Sequence, residues 1–267
     1  MGITIACFGL SYLTALGLEL GRQVRPARSL RIAGLVFGTA GLIAHTTFLI
    51  YHPPKLATAF GSLVLLAWVL AVFYLYGAMH QRTQSWGLFV LPVVVLLIGL
   101  SFVFQGESET MGDWFSADHF WGSLHGLLLL AAAVGITVGF LASVMYLFQA
   151  RRLQMKRSPL GGLRLLSLER LETMNRRAMN LAFPMLTVGL LLGFMRLPST
   201  NDPNAGWTAA KVLGTLGLWI VALVLLYLRY GAHVPPRRLA LLTFVAFGLM
   251  LITLVAAHPF ATVEGGR

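Results

Sequence analysis

Eight apolar runs, each roughly 20 residues long, limit this chain to helices that cross a membrane. A helix rises about 1.5 Å per residue, so a run of about 20 apolar residues spans a ~30 Å hydrocarbon core. The chain is 57% apolar and only 11% charged, and the runs lack the polar face of a soluble helix. The predicted spans are 2–20, 30–50, 58–78, 87–105, 120–149, 178–197, 208–230 and 238–257. The sequence therefore predicts an all-α, polytopic transmembrane helical bundle, with residues 1–267 forming a single integral membrane domain.

The basic residues predict which side of the membrane each connection occupies. If the N-terminus lies outside, all of the 20 lysines and arginines lie on the inner side except Lys55, Arg196, Lys211 and Arg267. Basic residues concentrate in cytoplasmic connections, so this distribution predicts both termini on the outer side. The net charge of +11 then reflects topology and contact with lipid headgroups in the bilayer, and nucleic acid is not an expected partner.

The first span is expected to be a retained helix. No basic segment precedes 2–20, and no convincing small-residue cleavage site follows it, unlike a signal peptide. The chain's one cysteine, Cys7, lies in this span, which excludes an intrachain disulfide and a CxxCH haem-attachment motif. The chain also lacks the cysteine pair or HExxH pattern of a zinc site.

Histidines gather on the predicted outer side. Five of the seven lie there: His45, His52, His119, His125 and His258. Imidazole is the usual axial ligand of haem iron, so this grouping suggests a haem or metal site. His125 follows Trp121 by one helical turn, so both share a helix face, and His258 lies where the last span must stop before Pro259. The alternatives are a hydrogen-bonded histidine at a helix start and a solvated histidine at the interface.

His45 lies inside the second span. An ionisable group in a membrane helix is a functional candidate by default, although a neutral imidazole bonded across helices explains it equally well. His52 follows two turns later on the same face and could extend a path toward the surface.

Aromatic and basic residues near the outer histidines could complete a haem site. Trp114, Trp121 and Trp207 could form a hydrophobic platform, although aromatic belts are common at membrane interfaces. Lys211 and Arg196 could pair with haem propionates, or instead with a nearby acid such as Asp202.

The longest inner connection, Arg151–Arg177, is strongly basic. Within it, 163–178 places apolar residues at three-residue intervals after Ser167, a plausible N-cap. This pattern predicts an amphipathic helix on the cytoplasmic interface that runs into the sixth span. A solvated charged linker is the alternative.

Several motifs in order resemble one membrane family. They are Ala44-His45, Trp121-Gly-Ser-Leu-His125, Ser167-Leu-Glu-Arg-Leu171, Asn175-Arg-Arg-Ala-Met179, Phe183-Pro-Met-Leu-Thr-Val-Gly189 with Gly193, Lys211 with Trp219, and His258-Pro-Phe260. Together they resemble the cytochrome c assembly membrane proteins, which include CcsA, CcmC and HemX-like proteins, and look most like the eight-span HemX and CcsA-type branch.

The resemblance implies a protein that handles haem b at the outer face of a bacterial plasma membrane for delivery to apocytochrome c. Two outer histidines of the family flank a tryptophan-rich loop and act as axial ligands; His125 and His258 match these positions. His45 matches an intramembrane histidine of CcsA-type proteins, and Trp121, Trp207 and Lys211 would surround the haem. The chain would not be an enzyme on its own, and a CcsB-like partner subunit would supply missing parts.

Two departures keep a second function open. The family's Asp-Pro before the lysine is absent unless it is displaced to Asp202-Pro203, and Tyr227 lies where CcsA-type proteins carry a late intramembrane histidine. These departures and the short chain favour a HemX-like regulator of haem biosynthesis that acts through the basic cytoplasmic segment. A small-molecule transporter is a third hypothesis, opposed by the absence of a sequence repeat and of paired broken helices.

Overall fold

Eight α-helices make up the part of the chain that the computed structural model describes, which comprises residues 4–25, 27–54, 56, 58–80, 85–104, 117–155, 165–195 and 210–256. These residues contain no β-strand. The helices are α1 (Ile5–Val24), α2 (Arg28–Tyr51), α3 (Ala59–His80), α4 (Gly87–Val103), α5 (Ala117–Gln154), α6 (Leu168–Met195), α7 (Ala210–Tyr230) and α8 (Pro236–Ala256). The predicted all-α polytopic bundle is confirmed.

Six of these helices are long and apolar enough to cross a membrane by length and composition: α2, α3, α5, α6, α7 and α8. The fourth helix is equally apolar but has only 17 residues. The first carries a buried Glu19 that pairs with Arg22 at 2.9 Å near its end. The chain is therefore a multi-pass membrane protein.

The sixth helix corrects one prediction from the sequence. The charged segment 168–177 is the beginning of α6, which continues without a break through Pro184 to Met195. Ser167 caps it, accepting a hydrogen bond from the backbone N–H of Arg170 at 3.4 Å. Leu171 and Asn175 are buried because the apolar face of this segment turns toward the bundle. The predicted helix after Ser167 and its continuation into the sixth span are therefore confirmed, and the alternative of a solvated linker is wrong. The correction concerns its apolar face, which packs against the bundle.

The helices form two units of four with the same arrangement. In the first unit, α1 and α3 each pack against α2 and α4; in the second, α5 and α7 each pack against α6 and α8. The units meet where α3 contacts α5 and α8 and where α4 contacts α5. The two units therefore share one pattern of helix contacts, although the sequence has no visible repeat.

One hydrogen bond recurs at the same place in both units. The indole Nε1 of Trp68 on α3 donates to Thr46 Oγ1 on α2 at 2.9 Å, and that of Trp219 on α7 donates to Thr187 Oγ1 on α6 at 3.0 Å. Each tryptophan is the tenth residue of its helix, counted from Ala59 and Ala210. In an apolar medium such a bond satisfies the indole N–H and ties neighbouring helices together.

The second unit has two distinct ends. At one end, which we call the His125 end, the starts of α5 and α7 meet the last turns of α6 and α8: His125 contacts Gly189, and Gly214 contacts Thr253. At the other, the Arg229 end, Arg229 in the last turn of α7 reaches Asn175 on α6. Every arginine side chain described on these four helices lies toward the Arg229 end.

Asn175 connects all four helices of this unit. Its Nδ2 lies 2.9 Å from the carbonyl oxygen of Gly139 and 2.8 Å from Ser143 Oγ, both on α5, and 3.2 Å from Thr243 Oγ1 on α8. Its Oδ1 accepts from Arg229 Nη2 on α7. Arginine can only donate, so this contact fixes the orientation of the amide. A single buried amide thus joins α5, α6, α7 and α8.

We expect Asn175→Leu to destabilise the protein by about 1–3 kcal/mol, because it removes the acceptor of Arg229 and leaves buried polar groups without a partner. Asn180→Leu is the matched control, since the exposed Asn180 makes one bond from Nδ2 to Tyr230 Oη at 2.6 Å. Thermal unfolding in detergent compares the two. Equal losses would refute the central role of Asn175.

Candidate functional site

His125 is held in a fixed orientation between α5 and α6. Its Nδ1 lies 2.6 Å from the backbone carbonyl oxygen of Gly189. A carbonyl can only accept, so Nδ1 carries the proton and donates it. In the neutral imidazole the basic nitrogen is then Nε2. The local fold therefore sets both the tautomer and the direction of this side chain.

Two glycines on α6 make room for His125. A Cβ on Gly193 would lie 2.8 Å from Cε1 of the imidazole, and a Cβ on Gly189 would lie 2.9 Å from a methyl carbon of Leu129. Both distances are too short for a real side chain. The Gly189–Gly193 pair is therefore a groove into which the first turns of α5 fit, which also exposes the carbonyl that His125 uses.

Two cavities adjoin His125 at this end of the bundle. One has a volume of about 150 Å³ and the other about 120 Å³, and His125, Leu129 and Thr215 line both. The larger cavity lies at the junction between the units, because Leu66 of α3 lines it together with side chains of α5, α6, α7 and α8. Its wall is mostly apolar.

Hydroxyl groups interrupt this apolar wall at three points, Ser62, Thr215 and Thr253. The Ser62 and Thr253 hydroxyls each donate to a backbone carbonyl in the preceding turn of their own helix, which leaves their oxygen lone pairs as acceptors. The cavity therefore has a mostly apolar wall with a few hydroxyl oxygens, and the His125 imidazole lies at its edge.

His45 lies in the other unit and is completely enclosed. The ring is 0% exposed, and neither ring nitrogen has a hydrogen-bond partner among the described residues. Phe8 on α1 stacks on the ring with centroids 4.1 Å apart and planes within 4°, and Tyr12 approaches edge-on at 6.1 Å. Two unsatisfied nitrogens in an apolar interior are costly. The sequence alternative of an imidazole bonded across helices therefore finds no bond in the described structure.

Aromatic rings connect His45 to the surface. Phe8 contacts Phe48 with centroids 5.5 Å apart, and Phe48 stacks on His52 at 5.0 Å. His52 is exposed and ends α2. His45 and His52 are thus the two ends of one aromatic column. Neither lines the two cavities beside His125.

The structure brings together fewer of the predicted site residues than the sequence suggests. Trp121 is 53% exposed, contacts Phe120 with centroids 5.6 Å apart, and lines neither cavity. His258 and Trp207 lie outside the described residues, and the Lys211 side chain is likewise not described, although its backbone belongs to the first turn of α7. Across the described part of the chain, no group of three or more His, Cys, Asp or Glu forms a metal site.

The spacing Gly189-x-x-x-Gly193 predicts a small-residue packing face on the sixth span, and the structure confirms close packing there, but the spacing does not identify which residue enters the groove. Sequence reasoning missed two other features of this region, the hydroxyls of the cavity and the Asn175 cluster. Asn175 stands in a segment that the sequence assigns to the inner connection, so the rule that flags polar residues inside spans did not apply to it.

A model of one protein family, described as cytochrome c assembly protein, matches residues 56–257. The match extends from the connection before α3 to the end of α8 and includes His125, Trp121, Trp207 and Lys211; His45 and His258 lie outside it. No curated protein and no solved structure matches the chain significantly. The chain belongs to the cytochrome c assembly protein family, as the sequence motifs predicted, and membership supports a role in haem-related cytochrome c biogenesis.

We expect Gly193→Ala to destabilise the protein by about 1–3 kcal/mol, because the new methyl group overlaps the His125 imidazole and forces the ring away. The substitution should cost far less in a His125→Ala background, where the imidazole is absent. Thermal unfolding of the four proteins in this double-mutant cycle measures the coupling.

Gly248→Ala is the matched control, since nothing lies within 4 Å of a Cβ at that position. It reports the intrinsic effect of alanine in a helix of this bundle. If Gly193→Ala is equally destabilising with and without His125, the imidazole does not occupy the groove.

Proposed function

We propose that this cytochrome c assembly protein holds haem b at the His125 end of the α5–α8 unit, with His125 as an axial ligand of the iron. The observation that carries this proposal is the bond of His125 Nδ1 to the Gly189 carbonyl oxygen, beside a cavity with an apolar wall. Metal-binding histidines commonly donate their second ring N–H to a backbone carbonyl, which fixes the tautomer and makes the ligand nitrogen more basic.

The residues of this site fit a porphyrin in chemical character. Leu129, Leu186 and Met250 offer apolar contacts, and Ser62 and Thr253 offer hydroxyl oxygens. Bound haem would supply an iron whose redox state depends on its axial ligands. The protein would contribute the nitrogen of His125, a largely apolar wall that limits water, and a fixed orientation.

His258 is the proposed second ligand. Thr253 and Leu254 of α8 line the cavity, and His258 follows the end of that helix, Ala256, by two residues. This closeness in sequence to the last turn of α8 supports the proposal. Trp121, Trp207 and Lys211 would contribute to the rim of the site, and Lys211 would pair with a propionate.

The distribution of charge supports the orientation of this site. The Arg229 end carries the basic side chains and should face the cytoplasm. The haem end would then lie on the extracytoplasmic side of a bacterial plasma membrane, where an apocytochrome c, assisted by a CcsB-like partner subunit, would receive haem.

His45 is proposed as a second residue that contacts haem, as the resemblance to the CcsA/HemX-type branch implies. Its two ring nitrogens lack partners, and iron ligation would satisfy one of them. Phe8 covers the ring face, whereas a ligating lone pair lies in the ring plane. Haem binding at His45 would require the side chains around the edge of the ring to move apart.

An absorption spectrum of detergent-purified protein tests the haem proposal. We expect a Soret band with bis-histidine character in wild type, and its loss or a shift in His125→Ala and in His258→Ala. The matched control is His80→Ala. His80 stacks on Tyr76 at the last residue of α3, whereas the cavity is lined by Ser62 and Leu66 near the start of that helix. Added imidazole should restore part of the band in His125→Gly. No haem in wild type after haem is supplied would refute the assignment.

A HemX-like regulator of haem biosynthesis is the second candidate. It is favoured by the charged start of α6, where Glu169, Arg170, Arg176 and Arg177 are exposed on an ordered helix. We expect Arg176→Ala and Arg177→Ala to weaken retention of a haem-biosynthesis enzyme by immobilised protein while leaving the Soret band unchanged. Unchanged retention of the enzyme would count against this function.

A further inference from the structure

The smaller cavity beside His125 lies between α6 and α7. Leu190 and Phe194 on α6 and Val212 on α7 line it, and α5 contributes His125 and Leu129. The lining side chains of α6 and α7 are half-buried. Because they also reach the surface of the bundle, the cavity lies close to that surface.

The surface beside this cavity faces away from the first four-helix unit. In the second unit each helix packs against two neighbours, and the first unit meets it mainly at α5 and α8. The α6–α7 interface is therefore on the opposite side of the second unit, toward lipid. Leu191 and Leu213, each next in sequence to a cavity residue, are 54% and 58% exposed, as expected of side chains that meet acyl chains.

The side-chain hydrogen bonds between α6 and α7 lie away from this cavity. They run from Thr187–Trp219 in the middle of the bundle, through Asn180–Tyr230, to Asn175–Arg229. The cavity lies on the His125 side of these bonds, because its α6 residues follow Thr187 and its α7 residues precede Trp219. The two helices can therefore separate at the His125 end while these three bonds remain intact.

The smaller cavity is separated from the larger one by side chains that line both, His125, Leu129 and Thr215. The hydrogen bond of His125 to the Gly189 carbonyl oxygen holds its imidazole in place. Leu129 lies against Gly189 through apolar contact, and a leucine side chain can change rotamer without breaking a hydrogen bond. Movement of Leu129 would therefore join the two cavities beside His125.

We propose that haem reaches His125 from the extracytoplasmic half of the bilayer, through the α6–α7 interface, with the smaller cavity as the entrance. This inference rests on the proposed function, because it gives the route to the same site. Haem has an apolar ring with two carboxylates at one edge, so in a bilayer the ring lies among acyl chains and the carboxylates at the headgroups. It enters as α6 and α7 separate at the His125 end, and the Thr187–Trp219 bond is the point about which they open.

The rates of haem entry and release test this route. Full-length protein in lipid nanodiscs is mixed with haem-containing vesicles, and stopped-flow absorption at the Soret band measures entry; transfer of haem to apomyoglobin measures release. We expect Val212→Phe, which narrows the entrance, to slow both rates roughly tenfold, as an overpacked contact that must open at each passage would do. The Kd and the position of the Soret band should not change, because a gate alters both rates equally.

Leu213→Phe is the matched control, because it adds the same ring to the exposed neighbouring side chain of α7. It should change either rate by less than about twofold, as expected of a surface substitution. Leu190→Ala, which widens the entrance from the α6 side, should speed both entry and release and provides a second test if Val212→Phe does not fold.

The outcomes separate the route from the site. Haem binding by wild type with equal rates in Val212→Phe, Leu190→Ala and Leu213→Phe would overturn the route and leave the proposed function standing. Weaker binding of haem by Val212→Phe with an unchanged rate of entry would place Val212 in the binding site and would also overturn the route. No haem in wild type would refute the proposed function, and the route with it.

Discussion

The arrangement around His125 depends on one hydrogen bond, from its imidazole to the backbone of a neighbouring helix. The carbonyl oxygen of Gly189 lies 2.6 Å from Nδ1, which requires the two helices to approach closely at this point. The glycines at 189 and 193 meet this requirement on α6. The tautomer of His125 follows from this one contact, and both cavities adjoin it.

The sequence predicted the fold well and the site only partly, for a physical reason. Membrane spans follow from the length of apolar runs, which the bilayer imposes on every helix in the same way. His125 could be chosen as a candidate because it follows Trp121 by one helical turn and matches a ligand position of the family that the motifs resemble. The role of Gly189 as its hydrogen-bond partner could not be predicted, because every residue has a backbone carbonyl and only packing makes a particular one an acceptor.

The charged start of α6 shows a second limit of prediction from sequence, which concerns what covers an apolar helix face. Leu168, Leu171 and Met174 form an apolar face between charges, and that pattern is the same whether the face meets lipid headgroups or another helix. Leu171 is 0% exposed because α6 continues straight from this segment into the span and packs against α5. Periodicity predicts that a face is buried, but the identity of what covers it depends on the rest of the fold.

The larger cavity lies at the junction between the two four-helix units. Contacts within each unit are extensive, whereas the units meet only through α3 and α4 on one side and α5 and α8 on the other. Leu66 and Met250 line the cavity from opposite sides of this seam. A molecule in that cavity would touch both four-helix units at once, so its binding would add contacts across the narrow junction between them.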